Sequence, residues 1–341
     1  LMNENSISFA TIRDTIKKFN KLKIHVVGDT IVDSYTRTTL IGGQTKTPTF
    51  SVLYQNKENY VGGAGVVALH LKEAGAKVIF TTIMGKDNDN KFIQKTLNNK
   101  KIKLNSIVLE DRPTTNKNVI ITDNYRLLKI DTLDNQPISK KITDKISNFI
   151  KKEKSDSIIF SDFRHGIFHK TSIKKLINSI SRNIYKVADS QVATRWGNIS
   201  DFKKFDIIFP NEKEARFSLG DQDSNISSLA RRLLKETECK NLILKLGSKG
   251  VFSVATNKIK GDYSSSIPSF CDNLIDPVGA GDALLAYSTL SMLISKSIVV
   301  SSIIGSLAAA CECEIDGNVP VKPEFVFEKI DKLEKTISYK V

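Results

Sequence analysis

The chain has 341 residues, of which 40% are hydrophobic and 26% charged, an ordinary composition for a globular protein with a sizeable core. Its formal charge of +14 comes from lysines scattered in pairs along predicted helix faces, without an arginine-rich arm or an aromatic and basic RNA signature, so no nucleic-acid partner is expected. We find no apolar run of membrane-spanning length and no signal peptide, and therefore expect a cytoplasmic protein without a membrane partner.

Strand-length apolar runs alternate with amphipathic helices over most of the chain. Short buried strands are predicted at residues 24–27, 78–83, 157–161, 186–188, 207–209 and 242–246. Helices are predicted at about residues 65–74, 88–97 and 172–181 and after Pro210, and two apolar helices between Ala283 and Cys311 are divided at Lys296. This alternation predicts the α/β class, with a doubly wound, mostly parallel sheet flanked by helices.

Two segments interrupt the alternation, at about residues 36–60 and 114–131. Their Thr- and Val-rich stretches alternate apolar with polar residues and contain no helix, which is typical of strands with one solvated face. We expect them to form a small β-sheet lid that covers a pocket and contacts a second subunit, giving a homodimer. No repeat or low-complexity linker divides the chain, so we expect one domain over residues 1–341 with this lid inserted.

The four cysteines, Cys239, Cys271, Cys311 and Cys313, form no CxxC pair. We therefore expect reduced, buried thiols, not disulfides or zinc ligands.

Residues 274–285, LIDPVGAGDALL, carry the most specific chemical signal. Glycines at a strand-to-helix turn permit close approach, and the first amides of the helix form an anion site. Asp282 stands in that first turn. Phosphoryl transfer needs two kinds of group: backbone amides that stabilise the charge on the phosphoryl oxygens, and a carboxylate that accepts the proton of the attacking hydroxyl. Taken alone, the motif is equally consistent with an acid that only complements the helix dipole.

The sequence DPVGAGD closely resembles the DTxGAGD signature of the ribokinase-like (PfkB) carbohydrate kinases, with Pro277 where Thr is usual. Other landmarks of that family follow in order, namely GGAG at 62–65, NEKE at 211–214 and LGSKG at 246–250. VVGDTIVDSY, the long insertion before YVGGAG, and SDFRHG are most similar to the heptose 7-phosphate kinases of lipopolysaccharide precursor synthesis. The resemblance implies ATP- and Mg²⁺-dependent phosphorylation of a sugar or sugar phosphate, and a separate nucleotidyltransferase acting next.

The resemblance also implies roles on the acceptor side of the site. Asp282, with an ordinary pKa near 4, is expected to be the general base, and Gly279, Ala280 and Gly281 to form the anion hole. Sugar hydroxyls are expected to meet Asp33 beside Gly62 and Gly63. Asp162, Arg164 and His165 lie just beyond a strand end and are candidates at the same rim. A substrate phosphate would need cations there, and Lys117 and Arg126 on the lid could add to them.

On the nucleotide side, Asn211 and Glu214 are expected to position the phosphates and Mg²⁺, with Glu214 acting through water. A simple helix-capping pair explains the same spacing. Gly247 and Gly250 are expected at the nucleotide, although a turn between strands also explains them. The resemblance places Asp189 there too, where the heptose-type kinases have Asp-Pro-Lys. Asp276 falls in a region that binds a monovalent cation in parts of the family, so K⁺ is a candidate cofactor.

Three departures keep other functions open. Val66 stands where related sugar kinases carry an Asn soon after the glycine pair, Gln191 replaces a lysine, and Pro277 replaces a threonine. The alternatives are a kinase of another sugar, sugar phosphate or nucleoside, or an inactive sugar- or nucleotide-sensing protein of the same fold. The intact Asp282 favours a working enzyme.

Overall fold

The computed structural model describes residues 2–42, 49–123, 125–191, 199–256 and 262–338. Its strands, in chain order, are β1 (Lys23–Gly28), β2 (Thr30–Gly42), β3 (Ser51–Gly63), β4 (Lys77–Gly85), β5 (Lys103–Leu109), β6 (Thr115–Thr122), β7 (Tyr125–Thr132), β8 (Ser157–Asp162), β9 (Tyr185–Ser190), β10 (Ile207–Ile208), β11 (Asn241–Lys245), β12 (Val251–Ala255) and β13 (Tyr263–Ile267). Its α-helices are α1 (Phe9–Lys17), α2 (Ala64–Glu73), α3 (Asn88–Asn99), α4 (Lys140–Lys152), α5 (Lys170–Asn178), α6 (Glu212–Leu219), α7 (Ile226–Thr237), α8 (Ala280–Ser295), α9 (Ile298–Cys313) and α10 (Pro323–Ser338).

Within these ranges, the central sheet has the strand order β13-β12-β11-β10-β9-β8-β1-β4-β5. The strands from β5 to β11 are parallel, and β12 and β13 add an antiparallel edge. One apolar cluster packs α1, α2, α8, α9 and α10 on one face, and a second packs α4, α5 and α7 on the other. The predicted doubly wound architecture is confirmed.

The two predicted apolar helices are α8 and α9. Lys296 ends α8 in the left-handed region, with φ of 56°. Ser297 then caps α9 by accepting a hydrogen bond from the Val300 N–H at 3.3 Å. Both helices are buried along most of their length, as their continuous apolar sequence predicts. None of the described helices is long and apolar enough to cross a membrane.

The two interrupting segments form a separate small sheet with the order β3-β2-β6-β7. The prediction of a second sheet is confirmed, but β2 begins at Thr30, directly after β1, earlier than the predicted residue 36. Residues 43–48 and 124, which fall inside the predicted segments, lie outside the described part of the chain. Large apolar side chains are exposed on this sheet, namely Leu40, Ile41, Phe50, Leu53, Tyr54, Tyr125, Leu128 and Ile130.

Candidate active site

A cavity of about 770 Å³ lies where β9 and β11 end and α8 begins. Its lining brings together the predicted nucleotide-side residues, which are far apart in the chain: Asp189, Asn211, Glu214, Gly247, Gly250 and the run Gly279–Asp282. The carboxyl ends of parallel strands are the usual place for a ligand in such a sheet. The cavity is therefore the candidate active site.

The turn that begins α8 depends on Gly279, which has a φ of 88° and precedes the first helical residue. A Cβ at this position would also collide with the side chains of Glu312 and Asn318. The N–H groups of Asp282 and Ala283 both donate to the Gly279 carbonyl, at 2.8 and 3.0 Å. Ala280 and Gly281 precede these two residues and line the cavity. The N–H groups in the first turn of a helix have no acceptor within the helix, and they are a common binding site for anions.

Asp282 lines the same cavity and is only 9% exposed. Burial, with a further contribution from Asp189, raises the pKa of Asp282 to about 8, although Lys245 acts in the opposite direction. The expected pKa near 4 was therefore wrong, because the sequence did not reveal how deeply the first turn of α8 is buried beside another acid. Without a ligand the carboxyl group largely keeps its proton at neutral pH.

Lys245 also lines this cavity; the resemblance placed it in the nucleotide-binding stretch, but the sequence alone assigned it no role. Its ammonium group donates to Asp189 Oδ1 at 3.0 Å and to Oδ2 at 2.8 Å. Burial opposes the positive charge, but Asp189 and Glu214 outweigh it and raise the pKa of Lys245. No local pattern marks this lysine, because its partner is 56 residues away in the sequence.

Asn211 and Glu214 form a capping box at the start of α6. The Asn211 side chain accepts from the Glu214 N–H at 2.8 Å, and the Glu214 side chain accepts from the Asn211 N–H at 2.7 Å. The capping interpretation is thus confirmed. Both side chains also line the cavity, so the cap fixes them at its wall.

Gly247 and Gly250 lie in the turn between β11 and β12, with φ of 60° and 84°. A Cβ on Gly250 would overlap the Ile267 carbonyl, so this glycine is required by the turn itself. The turn interpretation is confirmed, and the turn forms part of the cavity lining.

Asp33, the predicted sugar-side acid, lies on β2 next to Gly62 of β3. A Cβ on Gly62 would overlap the Asp33 carboxylate, so a glycine is needed at position 62 to leave space for the Asp33 side chain. Asn318, which sequence reasoning missed, donates from Nδ2 to Asp33 Oδ2 at 3.2 Å. Gly63 has a φ of 60° and directly precedes α2. The glycine pair therefore shapes this site through its backbone.

Lys117 pairs with Asp33 in the register of β6 against β2. Its Nζ lies 5.9 Å from the centroid of the Phe163 ring. Burial lowers the pKa of Lys117, and Asp33 opposes that effect. Asp33 raises the pKa of Asp282 and Lys117 lowers it, so both lie near enough to Asp282 to influence its charge.

The three predicted rim residues, Asp162, Arg164 and His165, are all buried. Asp162 accepts hydrogen bonds from the Arg164 N–H at 2.9 Å and from the Ser190 hydroxyl at 2.8 Å. Its Oδ2 also forms an ion pair with Arg164 Nε at 2.9 Å. Burial lowers the pKa of His165 to about 3, so it is neutral and offers no charge to a phosphate. Asp162 and Arg164 instead brace the end of β8, and Asp29 holds the same loop by accepting from the Phe163 and His165 N–H groups at 3.1 Å.

Arg126 is likewise engaged elsewhere. Its guanidinium group donates to Asp276 Oδ1 at 2.9 Å, so it joins β7 of the small sheet to the turn before α8. Arg37 of β2 makes a parallel link to Asp316 at 2.8 Å. Both ion pairs attach the small sheet to the loops that flank the anion site.

The cysteines depart in part from expectation. All four are free, and Cys239 and Cys311 are buried as predicted. Cys271 and Cys313 are half-buried and line the cavity.

The chain matches the profile of the pfkB family carbohydrate kinases over residues 21–320. It belongs to that family.

Curated relatives include the bifunctional proteins HldE of Sulfurimonas denitrificans, 27% identical over 319 residues, and of Nitratiruptor, 26% identical over 325 residues. In both cases the alignment covers 93% of this chain and 66% of the relative. The chain thus spans slightly less than two thirds of the relatives it matches.

Solved structures show the same fold. Phosphofructokinase-2 from Escherichia coli, in complex with potassium, superimposes with a TM-score of 0.77 at 14% identity, covering 92% of this chain and 99% of the other. Ribokinase from Thermotoga maritima gives a TM-score of 0.71 at 21% identity, covering 91% and 99%. The ribokinase-like fold predicted from sequence is confirmed.

Proposed function

We propose that residues 1–341 act as one kinase domain that transfers the γ-phosphoryl group of ATP to a hydroxyl of a sugar phosphate, with heptose 7-phosphate as the leading substrate. The observation that carries this proposal is the position of Asp282. It stands in the first turn of α8 at the cavity wall, and Asp33 and Lys117 lie near enough to influence its charge. A base at this position would lie between the bound nucleotide and the acceptor hydroxyl.

The cavity suits a nucleotide. Its volume of about 770 Å³ is within the range of small-molecule sites. The amides of Gly279–Gly281 would hold phosphate oxygens at the helix N-terminus, and the turn with Gly247 and Gly250 would lie along the nucleotide.

The acids of the cavity fit Mg²⁺ held mainly by water. Glu214 is the residue that we assign to the ion, with Asp189 nearby, since oxygen ligands are what Mg²⁺ prefers. Among the described residues, no three His, Cys, Asp or Glu side chains converge to enclose a metal ion. An ion bound through water and nucleotide phosphates would neutralise phosphate charge there.

K⁺ is a second candidate cofactor, at Asp276. Oδ2 of this buried carboxylate makes no hydrogen bond within the described structure, and Oδ1 accepts from the Val278 N–H at 3.1 Å. Arg126 already supplies one positive charge there. Comparing activity in potassium chloride with activity in choline chloride tests whether the ion contributes.

The chemistry follows from the placement of these groups. The acceptor hydroxyl attacks the γ-phosphorus in line, and its proton passes to a carboxylate oxygen of Asp282. The bond to the sugar oxygen forms as the bond to ADP breaks, and the amides of Ala280 and Gly281 stabilise the charge on the phosphoryl oxygens.

On the acceptor side, Asp33 would hydrogen-bond sugar hydroxyls, held in place by Asn318. Lys117 is the cation that we assign to a phosphate on the substrate, because Arg164 is paired with Asp162. The similarity to bifunctional HldE proteins favours heptose 7-phosphate, and a separate nucleotidyltransferase would then use the product.

The small sheet would act as a lid and as a dimer contact. It lies over the acceptor side, and its exposed apolar side chains would be covered by the same sheet of a second copy.

A coupled assay of ADP release tests the proposal, with heptose 7-phosphate, fructose 1-phosphate, unphosphorylated sugars and nucleosides as acceptors. We expect the highest kcat/KM with heptose 7-phosphate. ADP release with another acceptor would retain the kinase but change its substrate. Nucleotide binding without ADP release for any acceptor would favour the sensing alternative.

A further inference from the structure

Lys245 has a fixed position at the cavity that the mechanism above does not use. It is the last residue of β11, and its N–H donates to the Pro210 carbonyl at 2.8 Å. A parallel bridge pairs it with Asn211, at the start of α6. The backbone is thus held from both neighbouring elements, and the side chain is only 15% exposed. A lysine fixed in this way loses little further freedom when a ligand binds.

The ammonium group lies between an acid and the anion hole. It is 2.8 Å from Asp189 Oδ2 on one side. On the other side, it is 3.7 Å from the point where a Cβ on Gly281 would stand. Glu214 and Asp282 also influence its charge. An anion held by the amides of Ala280 and Gly281 would therefore come next to this ammonium group.

The charge of the cavity indicates why a lysine is needed there. Asp189, Glu214, Asp272 and Asp282 all line it, and of the described residues in its lining Lys245 has the one positively charged side chain. A triphosphate bound in this cavity would meet four carboxyl groups and one ammonium group. A buried pair that served stability alone gains little over apolar packing, so its retention at a ligand cavity calls for another role.

We propose that Lys245 is a catalytic residue whose ammonium group donates a hydrogen bond to an oxygen of the transferring phosphoryl group, beside the Gly279–Gly281 amides. This rests on the proposed kinase function. Lys245 keeps its proton throughout: the acceptor proton goes to Asp282, the new bond joins phosphorus to the acceptor oxygen, and the electron pair of the broken bond stays on ADP. Asp189 is then a positioning residue that orients the ammonium group.

A second consequence separates this role from a structural one. Lys245 lowers the pKa of Asp282, so its loss moves that pKa upward. The base must be ionised to act, and the acid limb of the activity profile should therefore move to higher pH when Lys245 is neutralised.

The test compares Lys245→Met with the matched control Lys240→Met. Lys240 precedes the same strand and pairs with Asp206 at 2.6 Å, but at the end remote from the cavity. We expect Lys245→Met to lower kcat about 100-fold, as for loss of one oxyanion donor. Affinity for ADP, measured by calorimetry, should change less than threefold, and the acid limb of kcat should move upward. Lys240→Met should match the wild type.

The outcomes are distinguishable. If the wild type transfers phosphate to no acceptor, the proposed function fails and this role fails with it. If the wild type is active and Lys245→Met keeps its kcat and pH profile, only the role of Lys245 is overturned. If Lys245→Met does not fold, Lys245→Gln takes its place, since it can still hydrogen-bond to Asp189. Equal losses in ADP affinity and kcat for that variant would overturn a role in the transition state.

Discussion

The proposed nucleotide side and the proposed acceptor side of the site are built in different ways. The nucleotide side uses turns and helix starts, where Gly279, Gly247 and the Asn211–Glu214 cap fix the geometry locally. The acceptor side is assembled by side chains from separate elements, with Asp33 on β2, Lys117 on β6 and Asn318 after α9. The first kind of site leaves a pattern in the sequence. The second kind depends on how distant elements pack together.

The largest expected effect is on the nucleotide side. Asp282→Asn removes the proposed base and should lower kcat about 10³-fold, because an amide takes no proton from the acceptor. Burial opposes the ionisation of Asp282, which is charged in the folded protein at pH 9. An uncharged asparagine avoids that cost, so the thermal midpoint of the variant at pH 9 should be higher than that of the wild type. Asp144→Asn, on the exposed surface of α4, is the control. A kcat within tenfold of the wild type would show that the base is misassigned.

The predictions from sequence succeeded where a local pattern is sufficient. The apolar runs gave the buried strands β1, β4, β8 and β9, because strands covered on both faces have continuous apolar sequence. No strand was predicted for β5 or β13, since β5 is a partly exposed edge strand and β13 reads YSSSI. Edge strands lack the periodicity on which such predictions depend.

The candidate site likewise has residues that a local pattern predicts and contacts that no local pattern predicts. The GAGD turn was predicted because its glycines and its acid are contiguous. The pairing of Lys245 with Asp189 and of Asn318 with Asp33 joins residues that are 56 and 285 positions apart, so no spacing rule could find it. Asp162 was expected at the substrate because it follows a strand, but its neighbour Arg164 turns back to pair with it. Burial, which also sets the pKa of Asp282, became visible only with the packing of α8.

A pH profile tests whether the nucleotide side is as buried as it is in the structure. The folded pKa of Asp282 is raised above its ordinary value, so the base gains its charge only as the pH rises toward about 8. We expect kcat/KM to increase about tenfold per pH unit from pH 6 to 8 and then to level off, since this parameter reports the free enzyme. A flat profile over that interval would indicate an ordinary carboxylate and a more solvated turn.

Lys117→Met probes the acceptor side. We expect KM for heptose 7-phosphate to rise about 10- to 50-fold, because one charge-assisted hydrogen bond to the phosphate is lost, while KM for ATP stays constant. Lys57→Met, on the exposed part of the same small sheet, is the matched control. If ATP binding weakened equally, Lys117 would belong to the nucleotide side, and the division between the two sides would not hold.

The smallest effect on catalysis should come from the outer face of the small sheet. Tyr54 and Leu128 are 62% and 48% exposed there, and changing both to Asp would place charges in the proposed dimer contact. Sedimentation at micromolar concentration should then give half the wild-type mass. KM for the sugar phosphate should rise about two- to fivefold, since a lid without its partner closes less firmly, and KM for ATP should not change. Val108→Asp, at the exposed edge strand β5, should leave the mass unaltered. A wild type that already sediments as a monomer would leave the lid without a partner, and the exposed apolar side chains would then need another explanation.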